Sequence, residues 1–161
     1  MIYMGFRLGE VVSLTAENVY LEEGYVVGGI KTEAGINRVI PFPPNIPEIK
    51  DFFRQWTAEC RTPTIIPANE KNFRDKWFYP VLIELGMLKA HLSGHDWKFD
   101  KKSHLTPHST RHTFASLSAS AGMRPENLQK IIGHADYSTT ADIYIHKDVS
   151  ELIAEMSKLK K

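Results

Sequence analysis

Apolar positions recur at helical spacing along most of the chain and cluster as strands in one stretch. Leu8, Val11, Val12 and Leu14 predict a short helix over residues 6–14. Residues 25–27 and 38–40 form β-rich runs, and "TEAG" between them is a turn signal, so two or three antiparallel strands are expected there. Prolines at 41, 43, 44 and 47 close that sheet. Residues 47–59 read as a helix with Pro47 in its first turn, and 69–88 as another, kinked or broken near Pro80. Residues 89–104 are polar and aperiodic and predict a mobile loop. Helices are expected over 106–122, 125–133, 138–146 and 148–161. Thr106 and Pro107 suit one helix start, Ser138 another, and Gly122 and Gly133 suit two helix ends. Val149, Leu152, Ile153 and Met156 give the last helix an apolar stripe. The expected class is α+β, predominantly helical, with a small antiparallel sheet of about three strands packed on helices.

Composition narrows this picture. The 161 residues suit one domain, and 42% hydrophobic with 24% charged residues is ordinary for a soluble globular chain. No apolar run approaches the ~20 residues a membrane helix needs, and no signal peptide is read at the start. A single cysteine, Cys60, rules out an internal disulfide and suits a reducing cytosol, so a cytoplasmic location is expected. The net charge of +1 neither argues for nucleic acid nor excludes it, because a basic patch can sit on a neutral chain. The first helix begins abruptly. Residues 1–161 are therefore expected to be one domain whose N-terminal part is absent.

The candidate chemistry lies in short clusters: Arg7 in "GFRLGE", His108 and Arg111 in "HSTRH", and His134 with Tyr144 in "GHADYSTTADIY". Lys31 is a further candidate from the sheet. His108 and Arg111 share a helix face, and Phe114, Leu117 and Ala121 mark a different, core-facing stripe, so the pair is expected to face a groove. Each residue alone has a plain reading. Arg7 pairs with Glu10, Lys31 is a solvated turn lysine, His134 suits a helix C-terminus, and Tyr137 and Tyr144 are packing residues. Together they form a phosphoryl-transfer set. Two arginines can clamp the non-bridging oxygens of a phosphodiester, a tyrosine can attack it, histidines can accept a proton or hydrogen-bond the phosphate, and a lysine can protonate the leaving oxygen. Such a set needs no metal. A metal site on His104, His108 and His112 is the rival, but Pro107 leaves His104 outside the helix and no "HExxH" is present.

Four motifs in order resemble the catalytic domain of the tyrosine recombinases, the phage-integrase type. They are "MGFRLGEVVSL", "IKTEAGINRVIPF", "TPHSTRHTFAS" and "IIGHADYSTTADIYIH", and they cover nearly the whole chain. The resemblance implies that family's catalytic fold and a metal-free, nucleotide-free cleavage and rejoining of double-stranded DNA. Tyr144 would be the nucleophile, forming a 3′-phosphotyrosyl link. Arg7 and Arg111 would hold the phosphate. His108 would be base or hydrogen-bond donor, His134 a phosphate contact, and Lys31 the general acid. It also implies a homo-oligomer on DNA, a tetramer when full length, whose last helix packs on a neighbour; alone, the chain would stay monomeric or swap that helix. Integration or excision of a mobile element is the expected role, with a catalytically silent DNA-binding relative and a type IB topoisomerase-like enzyme as alternatives. Tyr137 reads as structural. His146 matches the family's "YxH" ending with no chemistry assigned to it. Lys98, Lys101 and Lys102 could touch the DNA backbone but read better as a solvated charge run.

Overall fold

The computed structural model describes residues 1–29, 36–99, 105–133 and 145–160. A three-stranded antiparallel sheet in the order β1 (Val19–Tyr20), β2 (Tyr25–Gly28), β3 (Arg38–Pro41) lies against helices. Val26 pairs with Ile40, and both are fully buried, so the sheet register is set by its apolar face. The "TEAG" turn and Lys31, which would join β2 to β3, lie outside the described residues. Five stretches hold the α-helical elements expected: α1 (Leu8–Ser13), α2 (Pro47–Glu59), α5 (Pro107–Ser120), α6 (Pro125–Ile132) and α7 (Ile145–Met156). Phe6, Phe53, Phe114, Ile131, Leu152 and Met156 are buried in one core with the strand residues. No helix among the described residues is long and apolar enough to cross a membrane.

Three sequence expectations are corrected. The helix over 69–88 is broken into α3 (Glu70–Phe73), a π-helical stretch Arg74–Phe78 and α4 (Tyr79–Glu84). Pro80 has no N–H, and its ring crowds the carbonyl four residues back, so the hydrogen-bond ladder widens just before it: Tyr79 N donates to Arg74 O. The mobile loop over 89–104 contains a hairpin, β4 (Ala90–Ser93) and β5 (Asp96–Phe99). Its apolar content is small but anchored. Phe99 and Trp97 contact Tyr79 at ring separations of 4.7 and 6.2 Å, and Trp97 Nε1 donates to Asp75 O at 3.2 Å. Lys98 is exposed on β5, while Lys101 and Lys102 lie outside the described residues. Finally, α7 starts at Ile145 rather than 148, so Ile145 and His146 belong to the last helix. Residues 138–144 of the expected preceding helix, with Ser138, lie outside the described residues, as does Tyr137.

In this single chain α7 docks on β3 and α6 of its own fold. Leu152, Met156 and Leu159 are buried there. Glu155 accepts from Arg124 N at 3.0 Å, and Lys158 Nζ donates to both Glu155 oxygens at 3.0 Å.

Candidate active site

The last carbonyls of an α-helix have no partner within it and carry the negative end of the helix dipole. α6 ends on Gly133, left-handed at φ 71°, and its last three carbonyls are each taken by an arginine from a different element. Arg38 Nε, from β3, donates to Ile131 O at 2.8 Å. Arg111 Nη2, from α5, donates to Ile132 O at 2.5 Å. Arg7 Nη2, at the start of α1, donates to Gly133 O at 3.1 Å. The helix end thus gathers three guanidiniums that are distant in sequence.

Glu10 holds two of them from the other side. Its carboxylate accepts from Arg38 Nη1 and Nη2 at 2.5 and 2.6 Å, from Arg7 Nη1 at 3.0 Å and from Arg7 N at 2.7 Å. Burial alone would raise the Glu10 pKa, but the hydrogen bonds and charges of Arg38 and Arg7 outweigh it and hold the carboxyl below its ordinary range. Arg111 is placed by a close backbone approach. Its Nη1 donates to Gly5 O at 2.7 Å, and a Cβ on Gly5 would stand 2.6 Å from Phe114 Cδ1. Gly5 also sits at φ 63°, so this position suits glycine on both counts. Burial, then the charges of Arg7 and Arg38, pull the Arg111 pKa down to about 10, with Glu10 opposing. Arg111 remains a cation at neutral pH. Three guanidiniums facing one carboxylate leave the site electropositive and suited to an anion.

His108 stands one turn before Arg111 on α5 and is exposed. Its pKa is held below the ordinary histidine value by partial burial, then by His112, Arg111 and Arg7, so it is neutral at neutral pH and able to accept a proton. A cleft of about 420 Å³ joins it to Arg7, with Glu10, Arg74, Tyr79 and Thr106 also on its walls.

The structure therefore brings Arg7, His108 and Arg111 together beside the end of α6. Lys31, His134 and Tyr144 lie outside the described residues; in sequence, His134 directly follows Gly133 and Tyr144 directly precedes α7. The expected division of α5 is corrected. Its buried residues are Pro107, Arg111, Phe114 and Ser118, whereas Leu117 is 40% exposed. Arg111 is thus on the inward face, because two backbone carbonyls there satisfy its guanidinium. Sequence reasoning missed Arg38 as a site residue and saw Glu10 only as the salt-bridge partner of Arg7, a pairing the structure keeps. A carboxylate three residues after a key arginine was a visible signal, but nothing local tied it to Arg38. Among the described residues, no group of three or more His, Cys, Asp or Glu could hold a metal ion.

The sequence model described as "Phage integrase family" matches residues 1–151. The chain belongs to that family. It is 32% identical over 146 residues to the transposase from transposon Tn916 of Enterococcus faecalis, covering 87% of this chain and 35% of that protein. It is 31% identical over 147 residues to the tyrosine recombinase XerD of Vibrio vulnificus, covering 88% and 45%. The chain thus spans between a third and a half of the length of these relatives. In fold it is similar to the Tn1549 transposon integrase solved in complex with transposon right end DNA, with a TM-score of 0.61 at 19% identity over 94% of this chain and 56% of that one. The fold is that of the tyrosine integrase catalytic domain, as expected from sequence.

Proposed function

We propose that the chain is the catalytic domain of a site-specific DNA recombinase that integrates or excises a mobile element, acting on double-stranded DNA in the cytoplasm. The observation that carries this reading is the convergence of Arg7, Arg38 and Arg111 on the end of α6, beside a cleft shared by Arg7 and His108. Arg7 and Arg111 bind the non-bridging oxygens of the scissile phosphate. Each Nη of a guanidinium carries two hydrogens, so those already bonded to carbonyls keep another to donate. Arg38 stays on Glu10 and Ile131 and holds the frame. Tyr144 attacks the phosphorus through its hydroxyl oxygen. The phosphorus–O5′ bond breaks, Lys31 supplies a proton to the departing 5′-hydroxyl, and a 3′-phosphotyrosyl link remains. His108 accepts the tyrosine proton or hydrogen-bonds the phosphate, and His134 adds a phosphate contact. A second strand's 5′-hydroxyl reverses the step, so no metal and no nucleotide is consumed. The full-length protein works as a homo-oligomer, a tetramer, on DNA.

The test is covalent capture in chelator. The protein is incubated with duplexes nicked near the crossover so that the short cleaved fragment diffuses away, drawn from a pool of randomised sequence. A denaturation-resistant adduct is expected from the wild type and from Tyr137→Phe, and none from Tyr144→Phe. An adduct that survives Tyr144→Phe and disappears in Tyr137→Phe would reverse the assignment of the nucleophile. No adduct from any form, including the full-length parent, would leave the silent DNA-binding alternative standing.

A further inference from the structure

His108 and His112 are one helical turn apart on the first half of α5, and both are exposed. Their rings are already in contact, with centroids 4.6 Å apart and an interplanar angle of 89°. Two histidines at i and i+4 on one helix face are the spacing from which a helix chelates a transition metal. Rings this close need only side-chain rotation to aim one nitrogen each at an ion about 2.0–2.1 Å away. Water can fill the remaining positions, since the face is open to solvent.

We infer that His108 and His112 form a two-point binding site for a borderline divalent transition metal ion, Zn²⁺ or Cu²⁺, whose occupancy shuts off the DNA chemistry. The second half of this inference rests on the function proposed above. Imidazole binds a metal through a ring nitrogen lone pair, and both rings of the pair are exposed and in contact. The charges of Arg111 and Arg7 repel a dication, and their hydrogen bonds to carbonyls and to Glu10 offset that repulsion in part. Arg111 points its guanidinium inward onto Gly5 O and Ile132 O, and Arg7 is bonded to Glu10. Among the described residues no group of three or more His, Cys, Asp or Glu surrounds the pair, so hard ions such as Mg²⁺ and Ca²⁺, which want several oxygen ligands, are disfavoured. An ion on the pair would occupy the His108 lone pair and place a hydrated dication at the cleft His108 shares with Arg7. The reaction needs no metal, so this ion is an inhibitor and not a cofactor.

The experiment uses the untagged chain and reads binding and activity separately. Titration with ZnCl₂ and CuCl₂, followed by calorimetry and by histidine ring resonances in NMR, is expected to show ion binding that moves the His108 and His112 signals. Cu²⁺ should bind more tightly than Zn²⁺, and Mg²⁺ should be silent. His112→Ala and the larger His112→Gln should each weaken binding by about tenfold or more, as even outer-shell losses do in metal sites. Circular dichroism melts confirm that both variants are folded. In the adduct assay Zn²⁺ should inhibit the wild type, EDTA should restore it, and each His112 variant should resist Zn²⁺ relative to its own metal-free rate. Unchanged affinity in both His112 variants, or binding that leaves the two ring signals in place, would overturn the site. Failure of all adduct formation in chelator would sink the proposed function, while the binding arm would still decide whether the metal site exists.

Discussion

The two ends of α6 are held by opposite charges in opposite settings. At its start, Arg124 and Asn127 meet the carboxylates of Glu151 and Glu155 from α7. At its finish, Arg38, Arg111 and Arg7 meet its carbonyls. Both pairings suit the helix dipole, negative groups at the N-terminus and positive groups at the C-terminus. Burial separates them. The Arg124 side chain is 55% exposed, whereas those of Arg38 and Glu10 are each 4% exposed. Water reaches Arg124 at the first end, where buried Glu155 also keeps Lys158 as a partner, but not Arg38 at the second. The end with the exposed arginine fastens a helix; the end with the buried pair fixes the geometry of the proposed active site.

The largest effect should follow from emptying the buried end. Glu10→Ala takes the carboxylate away from the buried Arg38 guanidinium and should cost about 3–5 kcal/mol in chemical denaturation, the cost of removing one partner of a buried pair. A loss below about 1 kcal/mol would mean that water reaches Arg38 and that the two ends do not differ as described. Arg7→Ala should leave most of the fold intact, because its side chain is 29% exposed, but should slow adduct formation by about 10²–10³-fold. Gly133→Ala forces a side chain into the left-handed region and should destabilise by about 1–2 kcal/mol while also slowing adduct formation, because Arg7 is bonded to that residue's carbonyl. Arg124→Ala should have the smallest effect, a slight drop in melting temperature that shrinks further in high salt.

Acid should reveal the same contrast. The folded Glu10 pKa lies below the ordinary 4.5, so its contribution is present above that value and is lost as the pH falls through the folded one. Glu10→Gln should flatten the acid limb of the stability curve below pH 4.5. His108 is also shifted downward, so it stays neutral until the pH drops below histidine's ordinary 6.5. Adduct yield should therefore stay level down to that value and decline only beneath it.

What was legible in the sequence was local. Pro47, Thr106, Pro107 and Gly133 mark helix ends that the structure keeps, and the apolar face of the sheet is readable from Val26 and Ile40. The motif residues Arg7, His108 and Arg111 could be placed in one set because chemistry joined them. What escaped notice was non-local. Arg38 looks like an ordinary residue at the head of a strand until Glu10 and Ile131, 28 and 93 positions away, are folded onto it. Arg111 was placed on the polar face of α5 because a guanidinium reads as polar, whereas two carbonyls make its burial possible. The β4–β5 hairpin lacks an apolar alternation strong enough to announce itself, and its anchor is Tyr79 on another element.

The most direct measurement is the identity of the residue bound to DNA. After capture on nicked duplexes in chelator, the adduct is digested with protease and nuclease and the remaining nucleotide-bearing peptide is sequenced by mass spectrometry. The expected result is a single phosphotyrosyl linkage at Tyr144, lost in Tyr144→Phe and strongly reduced in Arg7→Ala. Linkage at Tyr137, or at a serine or histidine, would contradict the assignment of nucleophile and phosphate clamp together.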